Sequence, residues 1–336
     1  MSSNIRIFGA GDWGLAFALH LSKKHKIDVF IRNNKKYLDF CKKFSIDQES
    51  LINRHESNTG NWSETSALQD NSLADIVACS SAGFFELISE NINYFSKCQS
   101  VAWLTKGIDN KTGKLFHEII DQALGDNVGM SVLSGPSFAA DLVSNKSIEI
   151  SIASNKSDLL DKMTNLISSN NFTLIPTQDL IGVQISGIIK NIAATMAGIV
   201  TALNYEQESN MLIIEKAKEE IYRISSSMQS TSGPYTVEKS EILKTLDSPA
   251  CHGDLVLTCL NDISRNRQFG YRIAKGENIN SVLKDLGTVE SFSATKTLHS
   301  NKEKFNYGEI TDSIYKILFE NSNPAPIVKK LINPTF

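Results

Sequence analysis

Apolar residues in the first half of the chain fall in short runs separated by longer amphipathic stretches. Ile5-Arg6-Ile7-Phe8 reads as a strand, Trp13 to Lys24 as a helix, and Ile27 to Ile31 as a second strand. Further strand-like runs cover Ala74 to Cys79, Ser100 to Leu104, Met130 to Leu133, Ile148 to Ala153 and Phe172 to Ile175. Between several of them, as in Lys114 to Leu124 and Ser157 to Ser168, apolar positions recur at the helical period. Strands alternating with helices predict a mostly parallel sheet covered on both faces. From about Asp179 the pattern changes to long helical stretches, so the chain divides into an α/β part, 1–178, and an all-α part, 179–336.

Two stretches stand outside this scheme. Ile52 to Asn71 is polar and weakly periodic, and reads as a mobile loop. Leu180 to Leu203 is apolar enough to suggest a membrane span, but Gln184, Lys190 and Asn191 lie near its middle. A central lysine is costly in lipid, so the segment reads as a buried core helix. Its small residues Gly182, Gly187, Ala193, Ala197 and Gly198 would let neighbouring helices approach closely.

Composition narrows the class. With 336 residues, 41% hydrophobic and 21% charged, two globular domains are expected. A net charge of −3 offers no broad basic field for nucleic acid. The cysteines, Cys41, Cys79, Cys98, Cys251 and Cys259, form no CxxC pair and suit free thiols in a reducing cytoplasm. Met1-Ser2-Ser3-Asn4 leads straight into the first strand without a signal-peptide layout.

Gly9-Ala10-Gly11-Asp12-Trp13-Gly14 satisfies GxGxxG between a strand and a helix. That context is the one in which glycines allow a tight turn and bring backbone against a pyrophosphate at a helix N-terminus. The α/β part is therefore expected to be a Rossmann-type doubly wound sheet binding a nicotinamide dinucleotide. Asp12 is an obstacle, because a carboxylate repels a pyrophosphate, unless it caps the helix. The second strand ends Ile31-Arg32-Asn33, without the acidic residue that binds a ribose 2′-hydroxyl. Arg32 suits a 2′-phosphate instead, which tilts the expected cofactor toward NADP over NAD.

Several polar clusters point to chemistry. Lys190-Asn191 interrupts the most apolar helix, where burial would lower a lysine pKa and make it a usable proton donor. Asp254 either positions Lys190 or caps a helix at Leu255. Ser264-Arg265-Asn266-Arg267 is a compact donor set for a phosphate, or a solvated helix end. Thr105-Lys106-Gly107 and Ser134-Gly135-Pro136-Ser137 each follow a strand, on the edge where open α/β sheets bind ligands. The six histidines show no ligand spacing, and hydride transfer needs no metal.

Taken in order, GAGDWG, TKG, LSGPSFA, GVQISGIIKN, GDLVLTC and SRNRQFG resemble the NAD(P)-dependent glycerol-3-phosphate dehydrogenases, over Ile5 to about Glu290. The resemblance implies reversible hydride transfer between the nicotinamide and C2 of dihydroxyacetone phosphate or glycerol 3-phosphate, in an often dimeric cytoplasmic enzyme feeding phospholipid synthesis. It implies that Lys190, beside Asn191, exchanges the proton of the C2 oxygen, and that Lys106 contacts substrate and cofactor. Asp254 and Thr258 match residues supporting that site. Arg265 and Asn266 match the pair holding the substrate phosphate, with Arg265 also near the cofactor. Gly135, Ser137 and Ser264 would contact substrate, while Ala139, Thr288 and Glu290 fall at cofactor-side positions, joining Gly9, Gly11, Asp12, Trp13, Gly14 and Arg32.

The chain departs from that pattern around the cofactor. Cys79-Ser80-Ser81 stands for Val-Pro-Ser, the polar His55 to Trp62 loop replaces Lys-Tyr-Leu-Pro-Gly, and Ser291 replaces a glycine. Gln184 and Ser186 stand for a glutamate and a glycine, and Glu215-Lys216-Ala217 for Thr-Arg-Gly. Two other functions compete: a dehydrogenase for another phosphorylated hydroxy compound, and a non-catalytic nucleotide-binding sensor. Intact Lys190 and Lys106 weigh against the sensor.

Overall fold

The computed structural model describes residues 4–47, 52–62, 65–68, 72–125, 127–229 and 233–333. By contacts the chain forms two compact units, Met1–Asp109 with Lys114–Leu180, and Asn110–Gly113 with Ile181–Phe336.

The first unit is built on eight strands: β1 (Asn4–Phe8), β2 (Lys26–Ile31), β3 (Ile52–Glu56), β4 (Ser72–Val77), β5 (Ser100–Trp103), β6 (Gly129–Ser134), β7 (Ile148–Ser154) and β8 (Phe172–Thr177). Their order is β3-β2-β1-β4-β5-β6-β7-β8, parallel except for the antiparallel β6–β7 pair. The first six strands follow the doubly wound order with its reversal between β1 and β4, the crevice where such sheets take ligands. Helices α1 (Asp12–Leu21), α2 (Asn34–Phe44), α3 (Ser81–Glu90), α4 (Ile92–Phe95), α5 (Phe116–Leu124), α6 (Ala139–Val143) and α7 (Ser157–Ile167) accompany the sheet. Central strands such as β1, β2 and β6 are buried nearly throughout, as sheets covered on both faces require.

The stretch from Ile52 differs from the loop expected of it. It opens with the edge strand β3, paired in register with β2 from Ile27↔Ile52 to Ile31↔Glu56. Polar side chains hid the strand because only Ile52 must be fully buried on an edge. His55 stacks on Phe30 with ring centroids 4.8 Å apart, and its Nε2 lies 2.9 Å from Asp28 Oδ1. Trp62 is buried edge-on against Phe8 and Phe30, and its backbone N–H donates to Asn91 Oδ1 at 2.9 Å. Positions 63–64 and 69–71 of that stretch lie outside the described residues.

The second unit contains α8 (Leu180–Ala202), α9 (Gln207–Gln229), α10 (Lys239–Asp247), α11 (Asp254–Leu260), α12 (Arg265–Ala274), α13 (Ile279–Leu286), α14 (Glu290–Ser300), α15 (Lys302–Phe305), α16 (Glu309–Phe319) and α17 (Pro324–Ile332). The segment Asn110–Gly113 joins it through Asn110 Oδ1, which accepts from Thr297 Oγ1 at 3.0 Å, and Gly113 O, which accepts from Lys304 Nζ at 3.0 Å. Helix α8 is long and apolar enough to cross a membrane, but 89% of its most apolar window is buried inside the protein. Two glycines set its crossing with α12. A Cβ at Gly198 would meet Arg267 O at 2.0 Å, and one at Gly270 would meet Thr195 O at 1.9 Å. Buried Glu220 on α9 accepts the backbone N–H groups of Ile310 and Thr311, at 3.1 and 3.4 Å, and so caps the first turn of α16.

Candidate active site

At the head of β1 the chain turns through Gly9, whose φ of +131° only glycine adopts readily. A Cβ there would lie 2.5 Å from Ala78 O, and one at Gly14 would lie 2.8 Å from Ala78 Cβ. These two glycines thus seat the loop and the start of α1 against the end of β4. Gly11 is different: a Cβ there would meet only Ala78 O, at 4.0 Å, so the space beside it is open. Gly11 is also the N-cap of α1 and has no side chain to close the helix start. The first-turn N–H groups therefore lack intrahelical acceptors and present a positive helix end to that open space. This geometry fits a dinucleotide pyrophosphate.

Asp12 is the first residue of α1 rather than its cap. Its carboxylate pairs with Lys43 Nζ from α2 at 2.5 Å, which offsets the charge beside the loop. Trp13 stacks on Phe17, and its indole Nε1 donates to Ser137 Oγ at 2.8 Å, joining the glycine loop to the segment after β6. Lys106, after β5, donates to Gly135 O at 2.9 Å. A Cβ at Gly135 would fall 2.6 Å from Ile150 Cβ, so only glycine fits there. Ala139 opens α6 just beyond. Burial pushes the Cys79 thiol, at the end of β4, up to about 12, so it stays protonated.

In the helical unit Lys190 is 9% exposed on α8. Its Nζ donates to Asp254 Oδ1 at 2.7 Å and to Thr258 Oγ1 at 3.4 Å, both on α11. Thr258 Oγ1 in turn donates to Asp254 O at 2.6 Å. A π-helical turn, Pro249–Gly253, delivers Asp254 to this place. Nearby, Asn266 Nδ2 donates to Asn191 Oδ1 at 2.9 Å, and Asn266 Oδ1 accepts the Ser291 N–H at 3.0 Å. Thr195 Oγ1 joins the same network, 2.7 Å from Ser291 Oγ.

The four residues Ser264 to Arg267 divide their tasks. Ser264 caps α12, its Oγ accepting the Arg267 N–H at 3.3 Å. Arg267 is consumed structurally, with Nε 3.0 Å from Asp262 and Nη1 donating to Ala197 O at 3.2 Å and Thr201 Oγ1 at 3.0 Å. Arg265 is exposed at the start of α12, and its guanidinium makes no hydrogen bond or ion pair among the described residues. Of the two arginines read as one donor set, only Arg265 remains for a ligand. Thr288 is exposed, and half-buried Glu290 begins α14.

Models of the N-terminal and C-terminal parts of the NAD-dependent glycerol-3-phosphate dehydrogenases match residues 4–160 and 179–329. The chain belongs to this family. It is 28% identical to glycerol-3-phosphate dehydrogenase [NAD(P)+] of Pseudoalteromonas translucida, over 96% of this chain and 94% of that one. Identity to the Janthinobacterium enzyme of the same name is 29%, covering 98% and 97%. The crystal structure of glycerol-3-phosphate dehydrogenase from Coxiella burnetii superposes with a TM-score of 0.82 at 26% identity, covering 99% of both chains.

In this member of the family the sequence left several polar partners unseen. Lys43 beside Asp12, and Glu86 and Glu90 beside Arg32, lie 31, 54 and 58 positions from the residues they pair with. Nothing local in the chain signals such pairs. Two of the departures are accommodated by the backbone and its hydrogen bonds. Ser80, standing for a proline, has φ −69°, the angle a proline ring would impose. Ser291, standing for a glycine, bonds to Thr195 through its hydroxyl and to Asn266 through its N–H.

Proposed function

We propose that the chain reduces dihydroxyacetone phosphate to sn-glycerol 3-phosphate with NADH or NADPH, and catalyses the reverse reaction. The observation that carries this is the buried Lys190 ammonium, held at 2.7 Å by Asp254 in an otherwise apolar helix. The residues of the glycine loop would hold a nicotinamide dinucleotide, which in its reduced form would supply the hydride for the ketone carbon. Lys190 Nζ gives a proton to the C2 oxygen as negative charge develops there, and takes it back in the reverse direction. Asp254 and Thr258 fix Nζ, with Asp254 balancing its charge, and Lys106 serves as a further cation toward substrate and cofactor.

The substrate phosphate goes to the start of α12. There the Arg265 guanidinium and the N–H groups of Arg265 and Asn266, which the Ser264 cap leaves open, offer donors, supported by Asn266 and Asn191. Ser264 braces that turn, and Gly135 and Ser137 complete the substrate contacts. Gly9, Gly11, Asp12, Trp13, Gly14, Arg32 and Ala139 serve the nucleotide, with Thr288, Glu290 and Arg265 beside it.

All five cysteines are free, which suits a cytoplasmic enzyme. A homodimer supplying glycerol 3-phosphate for phospholipid synthesis completes the reading, and sedimentation velocity tests the dimer. The reaction is tested by following nicotinamide absorbance with and without the ketone. A Lys190→Met protein that binds nucleotide but turns over about 10²–10⁴-fold more slowly is the expected companion result; full turnover by it removes the lysine from the mechanism.

A further inference from the structure

Arg32 leaves β2 at its carboxyl end, where a doubly wound fold reads either the 2′-hydroxyl or the 2′-phosphate of the adenosine ribose. The arginine on its own favours the phosphate. Its surroundings do not. Arg32 Nη2 lies 3.1 Å from Glu86 Oε2 and 3.1 Å from Glu90 Oε2, both on α3. Gly60 closes on the same guanidinium: with φ +80°, a Cβ there would fall 2.5 Å from Arg32 Nε and 2.9 Å from Glu90 Oε2. The loop is braced, since Gly60 O accepts from Asn91 Nδ2 at 2.8 Å and Asn91 is wholly buried. A third carboxylate, Glu56 at the end of β3, accepts the Asn34 N–H at 3.1 Å. Lys35 and Lys36, at the start of α2, are exposed cations a few residues beyond Arg32.

One guanidinium between two carboxylates leaves the cluster with a net negative charge. A 2′-phosphate carries between one and two negative charges near neutral pH, on the order of −1.5 to −2 for a phosphomonoester. Set at Arg32, it would have to displace carboxylates from their ion pairs and then stay beside them. A ribose diol meets the opposite situation, because its hydroxyls donate to carboxylate oxygens. Discrimination then comes from repulsion of the wrong ligand as much as from attraction of the right one.

We propose that the Arg32–Glu86–Glu90 cluster makes the ribose subsite select a 2′-hydroxyl over a 2′-phosphate, so that NAD(H) is the preferred nucleotide. The inference rests on the glycine loop holding a nicotinamide dinucleotide, and it reverses the preference that Arg32 suggests in the sequence.

The test is a pair of titrations of the full-length protein with NADH and NADPH, read by nicotinamide fluorescence with no ketone present. NADH is expected to bind at least about tenfold tighter, and the gap to narrow with salt because these charges are exposed. In Glu86→Gln/Glu90→Gln the NADPH-to-NADH affinity ratio is expected to rise about tenfold or more. Each protein is compared with itself, so a general loss of stability does not imitate the result. Tighter or equal NADPH binding by the unaltered protein, which would assign the phosphate to Lys35 or Lys36, overturns the inference. So does a ratio that the double substitution leaves unchanged. Because no ketone is involved, a wrong substrate would not disturb this outcome. Binding of neither nucleotide would overturn the cofactor reading and this inference with it.

Discussion

Lys190 is a cation on the long apolar helix α8, and Asp254 is the reason it can stay there. A buried ammonium without a partner is strongly unfavourable, whereas one donating at 2.7 Å to a carboxylate is kept in place and in charge balance. Loss of a positioned acid slows such reactions by about 10²–10⁴-fold, so Lys190→Met is expected to reduce kcat by that order. Arg265 is the opposite case, an exposed guanidinium with no hydrogen-bond or ion-pair partner among the described residues. Arg265→Ala is expected to raise KM for the phosphorylated ketone about tenfold to a hundredfold, the loss of one charge-assisted contact, and to leave Tm within about a degree. Arg267→Ala should instead lower Tm, because its bonds to Asp262, Ala197 and Thr201 hold the α8–α12 packing. A separate prediction concerns His20 on α1, whose pKa burial and then the nearby Lys23 and Lys24 lower from 6.5 to about 4. The folded protein binds fewer protons than the unfolded chain between those values, so stability is present above pH 6.5 and falls as pH drops toward 4. The fall is at most about 3 kcal/mol, less for a ring that solvent partly reaches. Urea unfolding of His20→Gln across that range should show a flatter profile than the unaltered protein.

Among elements, the crossing of α8 and α12 has the narrowest tolerance. A Cβ at Gly198 would meet a backbone carbonyl at 2.0 Å, and backbone cannot swing aside. Gly198→Ala is expected to destabilise the protein by about 1–3 kcal/mol and to raise KM for the ketone, since α12 begins with Arg265 and Asn266. Ser80→Pro is expected to do the reverse for stability, adding about 0.4–1 kcal/mol in thermal unfolding, because its φ of −69° already suits a proline. The elements that the sequence revealed were those with a strong period or an uninterrupted apolar run. Ile5-Arg6-Ile7-Phe8 and Met130 to Leu133 are buried strands, and the small residues of α8 mark a close helix crossing at Gly198. The strand β3 stayed hidden because an edge strand of Ile-Asn-Arg-His-Glu has one core-facing aliphatic and no alternation. Its pairing with β2 is a tertiary fact.

At the scale of the whole molecule, the chemistry is legible in short segments and the selectivity is not. GAGDWG, Lys190-Asn191 and Ser264-Arg265 suggest chemistry locally, through glycine geometry, a misplaced cation and a donor at a helix start, whereas Arg267, read with Arg265 as one donor set, is held by Asp262, Ala197 and Thr201. The clamp on Arg32 by Glu86, Glu90 and Gly60 exists only once β2, α3 and the loop after β3 are folded together. Read alone, the arginine points to NADP; read with its partners, it points to NAD. The division of the chain is similar, because Asn110–Gly113 belongs to the helical unit through bonds to Thr297 and Lys304 that no local pattern announces.

The most direct measurement is the initial rate of nicotinamide absorbance loss with purified protein, dihydroxyacetone phosphate, and NADH or NADPH in parallel. Ketone-dependent oxidation, slowed about 10²–10⁴-fold in Lys190→Met and saturating at much higher ketone in Arg265→Ala, is the predicted result. A folded protein that binds NADH yet oxidises it no faster when the ketone is added would contradict the account.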